Sequence, residues 1–373
     1  MSAAARPGAA AAHRRGQHAR AATAVAFRIA ASPRIGFGHL VRAIHLAGAL
    51  GVPPRVSIRG TAAARETARR LGAQVLPASR GAVVHRDLAL LIIDDPSRAA
   101  AAPWLRAARR AGVPVASFHD VGIAPLASDL AIDGSLDARR VAGLGVDAAA
   151  CLLGAGYAVL GLPASVRPRS RARVPSEPCT ILVGLGGGQQ ARAGRSIAGN
   201  LRAALDRVPG LSRARVLLSL GLDSSGGPAS VGLPVGIEVV APQRFRAALA
   251  QATVAVVAGG TTLYEACALG TPVVAVPVVP GQTTTVRRFV RAGLAAGVRG
   301  ASGVGTAAWG RAAAVAALDL VADPVRRGEL SRRGRLAIDG QGAARVARAI
   351  AALRRPRGHG SGHGPREEAM RRL

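Results

Sequence analysis

Apolar positions along this chain follow two alternating rhythms. Short runs dense in Val, Ile, Leu and Ala are separated by longer stretches in which apolar residues return every three or four positions. The first rhythm predicts buried strands and the second predicts helices with one apolar face. Strands are predicted over 23–31 (TAVAFRIAA), 54–59, 88–94 and 113–119. In HLVRAIHLAGAL, residues Leu40, Ala43, Ile44, Ala47 and Leu50 share one face, which predicts a helix that starts directly after a glycine-rich turn. Over 163–178 the rhythm stops in a run rich in Pro and Arg, which reads as an interdomain linker. A second series then begins, with strands predicted over 179–185, 214–220, 236–240, 253–258 and 272–278, and helices over 189–207, 242–251, 260–269 and 283–292.

Strands alternating with helices predict an α/β fold in which a parallel sheet is covered on both faces. A length of 373 residues is more than one core usually fills, so two doubly wound units are expected, 23–162 and 179–355. Residues 1–22 break their alanines with Arg and His before a signal-like apolar run can form, and 356–373 is polar and Gly-rich. Both ends are expected to be disordered. No run reaches the roughly 18 apolar residues of a membrane span, so no membrane span is expected.

Composition changes this picture little. Hydrophobic residues make up 49% but aromatics only 2%, so the cores are aliphatic. The net charge of +30 raises the question of nucleic acid. Yet every basic residue other than His is Arg, spread along most helices rather than in a block, and the few aromatics form no stacking platform. A nucleic-acid partner is therefore not expected. Cys151, Cys179 and Cys267 are widely spaced, which suggests neither a disulfide framework nor a zinc site and suits a reducing, cytoplasmic setting.

Three glycine clusters could carry chemistry. In ASPRIGFGHLVRAIHLA, Gly36 and Gly38 precede His39 at the opening of a helix. Glycines admit a ligand close to the backbone, the helix start offers free N–H groups to an anion, and an imidazole can take a proton near neutral pH. The alternative is a tight turn with an unremarkable first-turn His. In VAVVAGGTTLYEACALGTP, Gly259 and Gly260 lead into Thr261 and Thr262, with Glu265 one turn further. That arrangement suits a phosphate at the helix start and ribose hydroxyls on the carboxylate; it also suits a plain capping box of Thr262 and Glu265. The third cluster, Gly186, Gly187 and Gly188 in ILVGLGGGQQ, ends the first strand of the second unit, where such sheets bind ligands. Walker and G-x-G-x-x-G spacings are absent. Asp94, Asp95, Asp120, Asp129 and Asp133 stand at or near strand ends and could hold sugar hydroxyls, or could cap helices and balance Arg. No motif calls for a metal or another cofactor.

Together these stretches resemble the nucleotide-sugar hydrolases of the pseudaminic acid pathway, UDP-2,4-diacetamido-2,4,6-trideoxy-β-L-altropyranose hydrolases, and related spore-coat polysaccharide proteins. GFGHLVRAIHLA is similar to the family's G-x-G-H-x-x-R segment, which brings in Arg42; LLGAGYAVL, with Tyr157, is similar to its LLG-x-x-Y-x-L segment; ILVGLGGG is similar to its glycine-rich strand end. GGTTLYEACALGTP resembles a signature shared with the glycosyltransferase family that makes the lipid-linked peptidoglycan precursor. The resemblance implies a GT-B-like pair of Rossmann-type domains facing a cleft that holds a UDP-sugar. It implies His39 as the base that activates water at the anomeric carbon and Glu265 as the ribose ligand, with Gly36, Gly38, Arg42, Asp94, Tyr157 and Gln282 among the substrate contacts. The chain departs from the family at Ala30, where an Asp is usual, at Pro96 in the segment D-x-Y, and at Gly281 in the Asn-Gln pair. These losses fall on the sugar side, so a glycosyltransferase on the same fold is the alternative to a hydrolase, and a basic nucleic-acid-binding protein is the third reading.

Overall fold

The computed structural model describes residues 24–78, 81–120, 126–138, 150–162, 179–186, 190–222, 232–298 and 306–353. The predicted linker and both terminal extensions lie outside them, as do Gly187 and Gly188.

The first sheet is built from β1 (Ala24–Ala31), β2 (Arg55–Gly60), β3 (Gln74–Val75), β4 (Leu88–Asp94), β5 (Val115–Phe118), β6 (Leu130–Asp133) and β7 (Ala150–Leu153). Their order across the sheet is β3-β2-β1-β4-β5-β6-β7, and the pairings are parallel. Because β1 is followed on one side by β2 and on the other by β4, the strand order reverses there. Doubly wound sheets bind ligands beyond the carboxyl ends of the strands at that reversal. Helix α1 (Gly38–Leu50) follows β1, α2 (Ala62–Arg70) follows β2 and α3 (Arg98–Ala111) follows β4. Alternate residues of β1 pack on opposite faces: Val25, Phe27 and Ile29 join the core beneath α1, and Ala26 joins the one beneath α3.

The second sheet repeats the plan. Strands β8 (Thr180–Gly184), β9 (Arg215–Ser219), β10 (Ile237–Val239), β11 (Val254–Ala258), β12 (Val273–Val276) and β13 (Ala296–Gly297) run in the order β10-β9-β8-β11-β12-β13, parallel throughout. Its reversal falls between β8 and β11. The helices are α4 (Gln190–Leu205), α5 (Phe245–Gln251), α6 (Thr261–Leu269), α7 (Thr283–Arg291), α8 (Ala307–Ala322), α9 (Pro324–Ala337) and α10 (Gly342–Leu353). β11 reads VAVVA and is buried along its whole length, as expected of a central parallel strand covered on both faces.

One element departs from the two-block division of the chain. Helix α10 follows the second sheet in sequence, yet Val346, Ala347, Ala349, Ile350 and Leu353 are part of the first core, with Leu40, Leu46 and Phe27. Its apolar face repeats every three to four residues, which marks a helix but leaves open which sheet it covers. Among the described residues no helix is long and apolar enough to cross a membrane.

Candidate functional site

The turn from β1 into α1 is fixed by Gly36, whose φ of +90° lies in a region that side chains avoid, and by its N–H bond to Ser32 O at 2.7 Å. Helix α1 then opens at Phe37 without a side-chain cap. Its first-turn N–H groups are left for other partners. By contrast Thr61, Ser97, Thr306 and Asp323 cap α2, α3, α8 and α9 with their side chains.

His39 sits in that open first turn, and Asp94 ends β4 on the neighbouring strand. The reversal of strand order brings them together: His39 Nδ1 lies 2.8 Å from Asp94 Oδ1. An ionised carboxylate can only accept, so Nδ1 carries the proton and Nε2 keeps the basic lone pair. No described residue takes that lone pair. Arg42, one turn further along α1, donates from Nε to Asp94 Oδ2 at 2.7 Å and from Nη2 to Asp94 Oδ1 at 2.6 Å. The same guanidinium reaches Asp120 at 2.8 Å through both Nη1 and Nη2, and stacks over the Phe118 ring at 4.6 Å.

Burial by itself would disfavour a charged His39, but the charge of Asp94 and its hydrogen bond outweigh it and hold the imidazole pKa above its ordinary value. Burial would also raise Asp94; the adjoining Arg42 and His39 hold it well below the usual carboxylate range instead. Asp94 thus stays ionised. His39, Asp94 and Asp120 together have the donor set of a metal site, with one ligand atom from each lying within 4.8 Å of the others. All four carboxylate oxygens of the two acids already accept from Arg42, however, so the cation of this cluster is the guanidinium.

The residues expected to touch the sugar therefore divide. Asp94 and Arg42, both expected among the substrate contacts, are buried and bond to one another. Asp94 also meets His39. Tyr157 lies in a 3₁₀ turn, Ala155–Tyr157, packed on the first core beside α10, where Arg345 bonds to Gly156 O at 3.0 Å.

In the second domain Gly186, with φ +104°, follows β8, and Gly259 and Gly260 follow β11, so both turns stand at the reversal of that sheet. Helix α6 again opens without a side-chain cap, at Gly260. Thr262 and Glu265 do not form a capping box; Glu265 bonds to Arg246 Nε at 3.1 Å and to the N–H of Gly161. Gln282 closes over the turn: a Cβ on Gly259 would stand 3.1 Å from Gln282 Cβ and 2.7 Å from Val286 Cγ2. Gln282 Oε1 is itself held by Val278 N–H at 3.0 Å. Tyr264 of α6, whose phenol is pushed upward by burial and then by the charge of Asp120, bonds to the backbone of Leu136 in the first domain.

No family model matches the chain, and no curated protein matches it in sequence. Its fold does have solved relatives. MurG from Acinetobacter baumannii is 14% identical, with 88% of this chain and 99% of that one covered and a TM-score of 0.57. The spinosyn rhamnosyltransferase SpnG, complexed with thymidine diphosphate, is 13% identical over 89% and 100% with a TM-score of 0.57. MnaA of S. aureus, solved with UDP, is 12% identical over 87% and 95% with a TM-score of 0.56. The fold is GT-B-like: two Rossmann-type domains in one chain. The resemblance to pseudaminic acid hydrolases is not reproduced by these comparisons, whose glycosyltransferases meet the chain at the level of architecture.

Sequence reading located the two glycine turns, His39 and Glu265. It did not foresee that Arg42 would tie Asp94 to Asp120, nor that Arg246 would meet both Glu265, 19 positions on, and His45 in α1, 201 positions back. Such pairings carry no local sequence signal.

Proposed function

We propose that the protein cleaves the anomeric bond of a nucleoside-diphosphate sugar, UDP-linked by its glycine and glutamate signature, with His39 as the general base. The observation that carries this reading is the pair His39–Asp94: a buried, ionised carboxylate fixes the imidazole through Nδ1 and leaves Nε2 basic, at the carboxyl edge of the sheet where its strand order reverses. The uncapped starts of α1 and α6 supply N–H groups suited to a diphosphate. Glu265 would take the ribose hydroxyls and Gln282 would border the same turn. A diphosphate leaves readily once its charge is met, so the reaction needs a base on the nucleophile more than an acid on the leaving group.

Water is the nucleophile in our first reading, which makes the protein a nucleotide-sugar hydrolase. The second reading, transfer to a sugar hydroxyl, is favoured by the glycosyltransferases among the structural relatives. The same base would serve either, because both remove a proton from an O–H. The test is UDP release from a panel of UDP-sugars, with and without candidate acceptors. Release in buffer alone supports hydrolysis; release only when a hydroxylated acceptor is added replaces it with transfer. No release and no binding of any UDP-sugar would sink both.

A further inference from the structure

Arg246, at the start of α5, joins three parts of the molecule. Its Nη2 donates to His45 Nε2 at 2.8 Å, and its Nε donates to Glu265 Oε1 at 3.1 Å. His45 lies on α1, one turn beyond Arg42 and on the helix that begins with His39. Glu265 lies on α6, the helix of the Gly-Gly-Thr-Thr turn. The chain leaving the first domain passes between them at Gly161: its N–H bonds to Glu265, and a Cβ there would fall 1.8 Å from His45 Nε2, so only glycine lets the backbone lie on the imidazole. Since Arg can only donate, His45 accepts through Nε2 and carries its proton on Nδ1. The arrangement is a relay of hydrogen bonds from the helix of the base to the carboxylate of the nucleotide turn.

We infer that Arg246 is a positioning residue for nucleotide recognition: it holds the Glu265 carboxyl oriented toward the ribose, and His45 anchors Arg246, so the first domain contributes to nucleotide affinity through the relay. This rests on the proposed role of Glu265. The electrostatic case is direct. Glu265 is 4% exposed, and burial holds its carboxyl above the usual carboxylate range, with Arg246 and the Gly161 N–H acting against that rise. A protonated Glu265 can accept fewer ribose hydroxyls, because one oxygen has become a donor. The charged group facing it is Arg246 from α5, with His45 from α1 behind it; Arg335 of α9 lies at the far end of α6, against Gly270. The strands beneath α6, β11 and β12, contribute only apolar side chains there.

The experiment measures the affinities of the full-length protein for UDP and for 2′-deoxy-UDP between pH 6 and 8.5. Wild type should prefer UDP. Arg246→Gln should weaken UDP on the order of tenfold, the worth of a charged hydrogen bond, reduce the preference over 2′-deoxy-UDP, and make the remaining preference rise with pH more steeply than in wild type. His45→Ala should move the same quantities in the same direction by a smaller factor, while His45→Gln, whose amide oxygen can accept from Arg246, should restore them. If Arg246→Gln fails to fold, the two His45 variants still decide the matter. A wild-type preference that survives unchanged in His45→Ala, or Arg246→Gln losing affinity equally for both nucleotides at every pH, would overturn the relay. Wild type that binds UDP without regard to the 2′-hydroxyl would instead remove Glu265 as the ribose ligand, and the nucleotide reading of that turn with it.

Discussion

To accept a proton, His39 must first be without one, and the carboxylate that orients it also makes it harder to deprotonate. The pKa of His39 is raised above 6.5 because Asp94 and its hydrogen bond outweigh burial. Turnover should therefore climb with pH through a midpoint above that value, since the neutral imidazole is the active form. Asp94→Asn removes the charge that raises the pKa, so the midpoint should move to lower pH while the plateau falls by roughly 10²-fold or more, because an amide no longer enforces the tautomer. His39→Ala should lower kcat by about 10²–10⁴-fold with UDP affinity little changed. A pH–rate profile of the three proteins checks both; an unmoved midpoint in Asp94→Asn would separate Asp94 from the base. Arg42→Ala should act differently, through stability: it leaves the buried carboxylate of Asp94 without its guanidinium, at a cost of about 3–5 kcal/mol, visible in a denaturant melt. At this scale the place of His39 at a helix start was legible because its turn, glycines and helix start are contiguous. Asp94 was visible at a strand end but its bonds to His39 and Arg42 were not, since those partners lie 55 and 52 residues away.

At the scale of elements, the close fit around the Gly259–Gly260 turn yields a prediction of its own. Gly259 has no room for a side chain because Val286 of α7 and Gln282 stand over it. In Gly259→Ala, α7 must shift outward; the expected loss is about 1–3 kcal/mol of stability, as in other overpacked sites, together with weaker UDP binding. A thermal melt with and without UDP reads both, and an unchanged melt would show that the turn is looser than its contacts imply. The longer strands were legible in the sequence, as were the helices up to residue 292; α8, α9 and α10 were not marked out. β4 matches its predicted span, 88–94, and β1, β8 and β11 differ from theirs by a residue or so at the ends. β3, β6, β7 and β13, of two to four residues each, were not anticipated, whereas β5, β10 and β12, equally short, lie inside longer apolar runs that were. The first turn of the helix predicted over 242–251 is 3₁₀, set by Pro242.

The whole molecule is more entangled than its two sheets suggest. Ile350, fully buried in the first core, comes from the last described helix. Ile350→Ala should cost about 2–4 kcal/mol, and hydrogen exchange should quicken in β1 and β2 while β8 and β9 keep their protection. The reverse pattern would place α10 with the second domain. Sequence alone could not assign this helix, because an apolar face fits either sheet and only the return of the chain chooses between them. That return has a consequence for how the protein is made. The ribosome delivers the first sheet early and the helix that seals its core only some two hundred residues later, after the second sheet has already emerged. During synthesis the first domain therefore has to wait, half covered, for a piece supplied from beyond the other domain, and the nascent chain should depend on chaperones through that interval more than a protein whose domains finish in order.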